Sequence, residues 1–323
     1  MNCNLKVGVF RFALVPAQEL LVPALNKGNM LRGGFGHAFR RLCCVPQCTD
    51  TRACPLAMSC PYKAVFEPSP PPGADRLSKN QDVPRPFVFR APQTQQTRFA
   101  RGQPFEFSLV LIGRALDFLP YFVLSFREVA AEGLGLNRAK CTLQRVDQLV
   151  PSANGAGDAA HVPAHVAPPF RAPASAVNAP SPSIAGVAPP LSATADAAPR
   201  LGGAHSALTA APPLSEAECG HLIYSADDQV FRAAANLTAN DWINARLRQL
   251  GAANGCALVQ RITIHFLTPT FLRADGEVVR RPEFHHIIKR LRDRINALCT
   301  FFGDGPLDLD FRALGQRAEK VRT

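Results

Sequence analysis

The feature that most constrains this chain is the stretch from 151 to 215, which is rich in alanine and proline and almost free of charge. Such a composition buries too little apolar surface to offset the entropy of ordering the backbone, and frequent proline keeps the chain extended. We therefore predict that 151–215 is a disordered linker or a long loop. This leaves two ordered regions, 1–150 and 216–323, and the 323 residues suffice for two modest domains.

The overall charge of the chain favours a polyanionic partner. Lysine and arginine number 36 against 25 aspartates and glutamates, which gives a formal net charge of +11. Nucleic acid is the leading candidate for that partner. The alternative is that the positive charge serves solubility alone.

The sequence also predicts a compartment. Lys6 and Arg11 interrupt the apolar N-terminal run, so this run lacks the continuous apolar segment of a signal peptide. No later stretch is apolar for long enough to cross a bilayer, so we expect no membrane partner. We predict a cytoplasmic protein whose ten cysteines stay reduced and act as core residues, metal ligands or nucleophiles.

The pattern over 1–150 predicts a ferredoxin-like domain of the α+β class. Apolar alternation predicts strands over 5–14, 105–113 and 139–149, and helical spacing predicts helices over 29–43 and 120–132. This is the βαββαβ order of that fold, although the second strand of the central pair is poorly marked. Between the first helix and 105, residues from about 43 to 104 contain many prolines and little periodicity, which predicts a long irregular insertion rich in cysteine.

For the second ordered region, the sequence predicts fewer strands and helices. The sequence indicates order again from "GHLIYS", then a helix over 241–250, a strand over 257–267 and an amphipathic helix over 282–302. In the predicted strand, Arg261 and His265 share a polar, basic face. The surface of the last helix carries a group of cations, namely Lys289, Arg290, Arg292 and Arg294.

The segment "LRGGFGHAFRRL", residues 31–42, contains the candidate catalytic side chain. Its apolar stripe consists of Leu31, Phe35, Phe39 and Leu42. Because each helical residue advances by about 100°, His37 lies on the side opposite this stripe and is predicted to face solvent. Its neighbours along the helix are Gly33, one turn earlier, and Arg40 and Arg41, one turn later.

Three glycines in the same helix need a reason. Gly33, Gly34 and Gly36 each weaken a helix by up to about 1 kcal/mol relative to alanine, which indicates close approach of another group. A phosphate at the exposed amides of the helix start is one candidate for that group, with Arg32 or Lys27 supplying charge. The alternative is that another protein element packs against the glycines and the histidine is only a solvated side chain.

Five cysteines fall within eighteen residues of the irregular insertion: Cys43, Cys44, Cys48, Cys54 and Cys60. Four thiolates close a tetrahedral zinc site, which would order a segment that lacks its own core. We predict Cys44, Cys48, Cys54 and Cys60 as the ligands, with Cys43 as the alternate. Such a zinc ion would be structural, because four thiolates leave no open position for catalysis. The alternatives are a packed, reduced cluster and redox chemistry.

Taken together, "LRGGFGHAFRRL", the cysteines ending in "CPYKAVFEP", the later "PRPFVFRAP" and "ITIHFLTPT" resemble the CRISPR-associated endoribonucleases that process precursor crRNA. These enzymes belong to the RAMP superfamily. The resemblance covers both ordered regions in the same order. It implies two tandem ferredoxin-like, RRM-related domains that bind a repeat RNA and cut it once, on the 3′ side of its stem.

The chemistry that this resemblance implies needs no cofactor. The ribose 2′-hydroxyl attacks the adjacent phosphate and leaves a 2′,3′-cyclic phosphate and a 5′-hydroxyl, a reaction that uses a general base or acid and cations. The family often keeps its catalytic histidine on the first helix, which here corresponds to His37, and the nearest candidates for an assisting group are Tyr62 and Lys63. The candidate RNA- and phosphate-binding residues are Lys27, Arg32, Gly33, Gly34, Arg40, Arg41, Arg261 and His265.

One departure from the family affects the functional prediction. Relatives usually carry a glycine-rich loop late in the second domain, whereas this sequence stops at "LGQRAEKVRT". We therefore expect an incomplete second domain, through truncation, loss of the tail or supply of the missing part by a partner chain. A second hypothesis follows, in which the chain is a non-catalytic subunit that holds crRNA in a CRISPR effector complex. A third hypothesis is a zinc-containing DNA-binding regulator.

Overall fold

The first ordered region folds through strands and helices whose positions follow the apolar pattern of the sequence. The computed structural model describes residues 4–45, 48, 50–51, 54, 56, 59–69, 83–151, 220–253, 263–264, 266, 270–274 and 276–322. The elements up to residue 151 are β1 (Val7–Pro16), β2 (Leu20–Leu21), α1 (Lys27–Cys43), α2 (Pro61–Val65), β3 (Phe87–Arg90), β4 (Arg98–Phe99), β5 (Phe105–Ile112), a 3₁₀ helix (Gly113–Phe118), α3 (Leu119–Glu132) and β6 (Cys141–Leu149).

The second region contributes shorter strands and three helices. Its described elements are β7 (Gly220–Ser225), α4 (Ala239–Ala253), β8 (Arg273–Ala274), β9 (Glu277–Val278), α5 (Phe284–Phe302) and α6 (Phe311–Glu319). The predicted strand over 257–267 and the predicted linker over 151–215 lie almost entirely outside the described residues. The predicted helix over 282–302 is confirmed as α5. It begins at Phe284 because Glu283 and His286 form a capping box there.

The central sheet has five antiparallel strands in the order β3-β5-β1-β6-β7. The predicted βαββαβ order of the first region is confirmed, and the fold class is α+β. The prediction that the second strand of the central pair is poorly marked was wrong: the second strand is β5, which the alternation over 105–113 predicts. The strand that the sequence did not reveal is the first of the pair, β3, "FVFR", whose four residues are too few to show a period of two. The predicted irregular insertion therefore also contains regular elements, α2, β3 and β4. The tandem arrangement of two ferredoxin-like domains stays a prediction.

Helices α1 and α3 cover one face of this sheet with aromatic side chains. The Phe35 ring of α1 is fully buried and stacks on Phe122 of α3, with ring centroids 4.6 Å apart. Phe12 of β1 stacks on Phe107 of β5 at 5.1 Å, and both rings meet Phe126. Aromatic pairs in such geometry add to the stabilisation that burial itself supplies. The result is a rigid base that fixes the orientation of α1.

The second region continues the sheet of the first region. Strand β7 pairs with the edge of β6, and the side chain of Gln148 exchanges two hydrogen bonds with the backbone of Ala235. The indole of Trp242 donates to the carbonyl of Val7 at 3.2 Å. Gln148 is fully buried, so this polar pairing also satisfies groups that would otherwise be costly to bury. The described residues together form one compact unit.

Candidate functional site

His37 occupies the exposed face of α1, as the sequence predicts. The stripe on the opposite face is buried, with Leu31, Phe35 and Phe39 fully inaccessible to solvent. The imidazole has no hydrogen-bond or ion-pair partner within the part of the chain that the structure describes. A side chain that packing does not require and that solvent can reach is available for contact with a ligand.

Two of the three glycines that the sequence singles out in α1 are used for packing. A Cβ atom at Gly34 would lie 3.2 Å from the Val129 side chain of α3, and one at Gly36 would lie 2.7 Å from the Phe66 ring. At these two positions the close approach comes from the protein itself. By contrast, a Cβ atom at Gly33 would meet nothing within 4 Å, so this glycine leaves open space one turn before His37.

The predicted phosphate contact through the helix-start amides does not fit the observed start of α1. The helix begins at Lys27, so Gly33 and Gly34 lie beyond its first turn, where backbone amides donate to the carbonyls four residues earlier. Only the amides of the first turn point outward without a partner in the helix. A helix start at residue 29, which the sequence predicts, would also leave both glycines beyond the first turn, so neither start frees their amides.

Lys27 is buried, in contrast to the sequence-based prediction that it contacts phosphate. Its side chain is only 5% exposed, and its ammonium donates to the carbonyls of Ala24 and Thr94, at 3.2 and 2.9 Å. A buried charge must be compensated in this way. Lys27 therefore ties the start of α1 to the loop at residue 94, and we no longer count it among the phosphate-binding candidates.

The three arginines near His37 have different surroundings. Arg41 forms ion pairs with Glu128 and Glu132 of α3, with N–O distances of 3.2 and 2.5 Å. Arg32 lies over the Phe66 ring, its guanidinium carbon 5.9 Å from the ring centroid. Arg40 is exposed and lies one turn after His37. Burial raises the pKa of both Cys44 and Tyr62, and the nearby charge of Arg40 offsets a small part of that rise. Of these cations, Arg40 is therefore the best placed to meet an incoming phosphate beside the histidine.

Tyr62 is unsuited to assist in proton transfer. The ring is 5% exposed, and its hydroxyl donates to the Glu67 carboxylate at 3.3 Å. Burial, and then the charge of Glu67, raise the pKa of Tyr62 to about 12. Lys63 follows it on α2 and is partly exposed, so it stays a candidate.

The cysteines of the insertion lie close together. Cys44 directly follows α1 and Cys60 directly precedes α2, and Cys48 is within hydrogen-bonding reach of both Cys44 and Cys54. All of the described cysteines are free thiols. No group of three or more histidine, cysteine, aspartate or glutamate side chains has a metal-binding arrangement within the described ranges. The predicted zinc site therefore stays a prediction at this point.

The other candidate RNA-binding residues, and a further pair of histidines, lie elsewhere. Arg261 and His265 lie outside the described residues. His285 and His286 lie beside each other at the start of α5, with tilted rings whose centroids are 3.9 Å apart, and both interact with Glu283. These contacts belong to the cap of α5.

One polar row on the sheet was missed by the sequence reasoning. The strand register aligns Arg90 of β3, Ser108 of β5, Arg11 of β1 and Asp147 of β6 across the face that α1 and α3 leave uncovered. The polar residue within the otherwise apolar β1 was the available signal, since alternate residues of a strand share a face. Its alignment with β3 needed the tertiary structure.

The comparisons with known proteins match the first region. A family model described as AF_1859_N, N-terminal domain, matches residues 5–164, which include the whole βαββαβ unit. No curated protein matches the sequence at a significant level. None of the helices within the described residues is long and apolar enough to cross a membrane.

Two solved structures show a weak likeness to this chain. One is the Csm3–Csm4 subcomplex of the type III-A CRISPR-Cas interference complex, with a TM-score of 0.29 and 15% identity over 46% of this chain and 81% of the other. The second is a Cas6 product complex, with a TM-score of 0.24 and 19% identity over 44% of this chain and 39% of the other. These TM-scores are too low to establish a shared fold, so neither likeness carries weight for function.

Proposed function

We propose that this chain is a CRISPR-associated endoribonuclease that cleaves precursor crRNA within its repeats without a catalytic metal. The observation that carries the proposal is the exposed His37, which stands on α1 one turn before the exposed Arg40 and beside the open space at Gly33. The CRISPR context comes from the sequence resemblance described above. The positive net charge of +11 is the second support, because it favours a polyanionic substrate.

In the proposed reaction His37 transfers a proton at the scissile phosphate. The imidazole takes the proton from the attacking 2′-hydroxyl or gives one to the leaving 5′-oxygen, a role that histidine fills more often than any other residue. Arg40 stabilises the charge that develops on the phosphorane. The open space at Gly33 gives the RNA backbone room to approach the imidazole.

The test uses hairpin repeat RNA in a buffer free of divalent cations. Wild type should release a product that ends in a 2′,3′-cyclic phosphate, and a 2′-deoxy substitution at the scissile ribose should prevent cleavage. His37→Ala should lower the cleavage rate by roughly 10²–10⁴-fold, the usual contribution of a general acid or base. Cleavage at the wild-type rate by His37→Ala, or dependence on added magnesium, would disprove the assignment.

Two arginines at adjacent positions provide a matched control. Arg40→Gln should slow cleavage because it removes the exposed cation, whereas Arg41→Gln should have a much smaller effect because Arg41 already pairs with Glu128 and Glu132. His285→Ala serves as the control histidine, since that ring belongs to the cap of α5. Equal effects of the two arginine variants would mean that Arg40 has no special relation to the scissile phosphate.

A second function is favoured by a specific observation. Lys27 and Arg41, two of the cations predicted beside His37, are engaged by other groups of the protein. That arrangement suits a non-catalytic subunit that holds crRNA in a CRISPR effector complex through more distant contacts. The same assay separates the two functions, because a non-catalytic subunit would bind the RNA without cutting it. Its affinity would fall steeply as the salt concentration rises.

A further inference from the structure

We propose that Arg32 binds the RNA backbone at a phosphate next to the scissile one, and that Phe66 and Arg85 hold its guanidinium in position for that contact. This inference rests on the nuclease function proposed above, in which the scissile phosphate lies at His37. It adds a second contact to the same strand, on the side of α1 against which Phe66 packs.

The first observation is that one aromatic ring attracts two guanidinium groups. The Arg32 guanidinium carbon lies 5.9 Å from the centroid of the Phe66 ring, and the Arg85 guanidinium carbon lies 5.4 Å from the same centroid. A cation over an aromatic face is attracted by the charge distribution of the ring. The ring therefore favours one orientation of Arg32, a long side chain on the exposed part of α1.

The Phe66 ring is itself held by several contacts. Arg85 Nε donates to the Phe66 carbonyl at 2.7 Å. The ring stacks on Tyr62 and on Phe87, with centroids 5.2 and 6.0 Å apart. A Cβ atom at Gly36 would lie 2.7 Å from the ring, so this glycine lets Phe66 pack closely against α1. A side chain that is oriented before the ligand arrives loses less entropy on binding.

The charge of Arg32 is not neutralised by another described side chain. Arg32 is exposed and has no ion pair or hydrogen bond within the described ranges. Glu67 directly follows Phe66, but its two carboxylate oxygens accept hydrogen bonds from Thr51 and Tyr62. An oriented guanidinium without a carboxylate partner suits a phosphate, which it can bind through two parallel N–H···O bonds.

Helix geometry places this phosphate beside the scissile one and not at the same point. Arg32 and His37 are five residues apart, which corresponds to about 7.5 Å along the helix axis and about 140° around it. We therefore do not expect one phosphate to contact both side chains. Gly33 lies between them on the helix surface, and a Cβ atom there would meet nothing within 4 Å. An RNA strand that crosses α1 over this opening meets His37 with one phosphate and Arg32 with a neighbouring one.

The test measures RNA binding, so it can fail independently of the nuclease. The probe is hairpin repeat RNA with a 2′-deoxy substitution at the scissile ribose, bound to the full chain and followed by fluorescence anisotropy at several salt concentrations. Arg32→Gln should weaken binding by roughly tenfold or more, as expected for a charge-assisted contact. It should also reduce the slope of log affinity against log salt concentration by about 0.7, the value for one phosphate contact to a single strand.

Uncharged phosphate analogues locate the contact along the RNA. A methylphosphonate introduced at one backbone position at a time should weaken wild-type binding at the scissile phosphate and at a neighbouring one. In Arg32→Gln the neighbouring substitution should have no further effect, because its contact is already lost. Arg98→Gln is the matched control, since Arg98 is an exposed arginine that pairs with Glu19, and it should retain the wild-type affinity and pattern.

Double-mutant cycles test the positioning roles of Phe66 and Arg85. Phe66→Leu keeps an apolar side chain against Gly36 but removes the aromatic face, so it should weaken RNA binding. Arg85→Gln removes the hydrogen bond to the Phe66 carbonyl and should weaken binding in the same way. Neither substitution should change the affinity in the Arg32→Gln background, whereas a merely structural role would weaken binding equally in both backgrounds. If Phe66→Leu does not fold, the Arg32→Gln and methylphosphonate measurements still decide the phosphate contact.

Three results would overturn the proposal. The first is Arg32→Gln with wild-type affinity and wild-type salt dependence. The second is a methylphosphonate pattern that Arg32→Gln changes only at the scissile phosphate. The third is the absence of RNA binding by wild type, which would also remove the nuclease. Binding that depends on Arg32 without any cleavage would support the phosphate contact and disprove the nuclease alone.

Discussion

Helices α1 and α5 carry the same kind of apolar stripe, yet the fold covers only one of them fully. On α1 the stripe residues Leu31, Phe35 and Phe39 are all 0% exposed. On α5, Leu291 is 49% exposed and Ile295 is 41% exposed, although both belong to the apolar face of an amphipathic helix. A period of 3.6 residues therefore indicates which face of a helix is apolar, but not whether another element covers that face.

The difference follows from what each helix packs against. α1 packs against both the sheet and α3, and phenylalanine rings from both contact its Phe35. α5 is buried chiefly near its C-terminal end, where Leu298 and Cys299 meet Leu5 and Ile112. Its packing against α6 includes an exposed ion pair between Lys289 and Glu319, of a kind that contributes little to stability. We infer that the α1 layer carries much more of the folding free energy than the α5 layer.

The largest expected effect comes from removing one ring from each helix. Phe35→Ala should lower the free energy of unfolding by about 3–5 kcal/mol, because a fully buried ring in contact with several others leaves a cavity. Ile295→Ala should change it by no more than about 0.5 kcal/mol, as expected for an exposed position. Urea unfolding followed by circular dichroism measures both values.

The same two variants test directly whether α1 and α5 contribute differently to the stability of the fold. A loss on Ile295→Ala similar to that on Phe35→Ala would show that the α5 face is covered in solution. In that case the burial difference between the two helices would not reflect a difference in their contribution to stability.

The second prediction concerns the point where the sheet meets α5. Gly113 has a φ of 58°, and a Cβ atom there would collide with the carbonyl oxygen of Phe302 in α5. Gly113→Ala should cost about 1–2 kcal/mol for the left-handed backbone and roughly 1–3 kcal/mol more for the forced contact. Thermal or urea unfolding of the purified variant measures the sum.

Gly102 supplies the control for this substitution. Its φ is also positive, 79°, but a Cβ atom there would meet nothing within 4 Å, so Gly102→Ala should show the backbone cost alone. Equal destabilisation by the two variants would indicate that α5 does not press on Gly113, and the attachment of α5 to the sheet would have to be reconsidered.

The smallest expected effect is a dependence on pH of the local stability of α5 and α6. The hydrogen bond from Lys289 is the main cause that lowers the pKa of Glu319 below its ordinary value of 4.5. A lowered pKa in the folded state means that the stabilisation is present above the ordinary value and is lost as the pH falls through the folded value. The protection factors of the amide hydrogens in α6 should therefore fall below about pH 4.5, whereas those in α1 should not.

Glu319→Gln removes the titrating group and is the control for this effect. In that variant α6 should exchange faster than wild type at neutral pH and should show less additional change on acidification. An α6 that responds to acid equally in both proteins would assign the pH dependence to another group.

In the candidate site, the sequence predicts the position of a side chain but not its long-range partners. The outward position of His37 was predictable, because the apolar stripe of one helix fixes its opposite face. The roles of Lys27 and Arg41 were not predictable, since their partners Thr94 and Glu128 lie 67 and 87 residues away in the chain. A cation is free for a ligand only when no such partner reaches it, and local spacing contains no information on that point.

The sequence by itself determined the main strands and helices of the first region apart from β3, the faces that could be buried and the side of α1 on which His37 stands. These properties depend on residues within one or two turns of each other, so they can be read from periodicity. Only the tertiary structure decided that Gly34 and Gly36 serve packing, that Arg40 rather than Arg41 stays available, and that the apolar face of α5 is only partly covered. Those outcomes depend on which distant element packs against each surface. Such contacts are determined by shape and charge and not by neighbours in the chain.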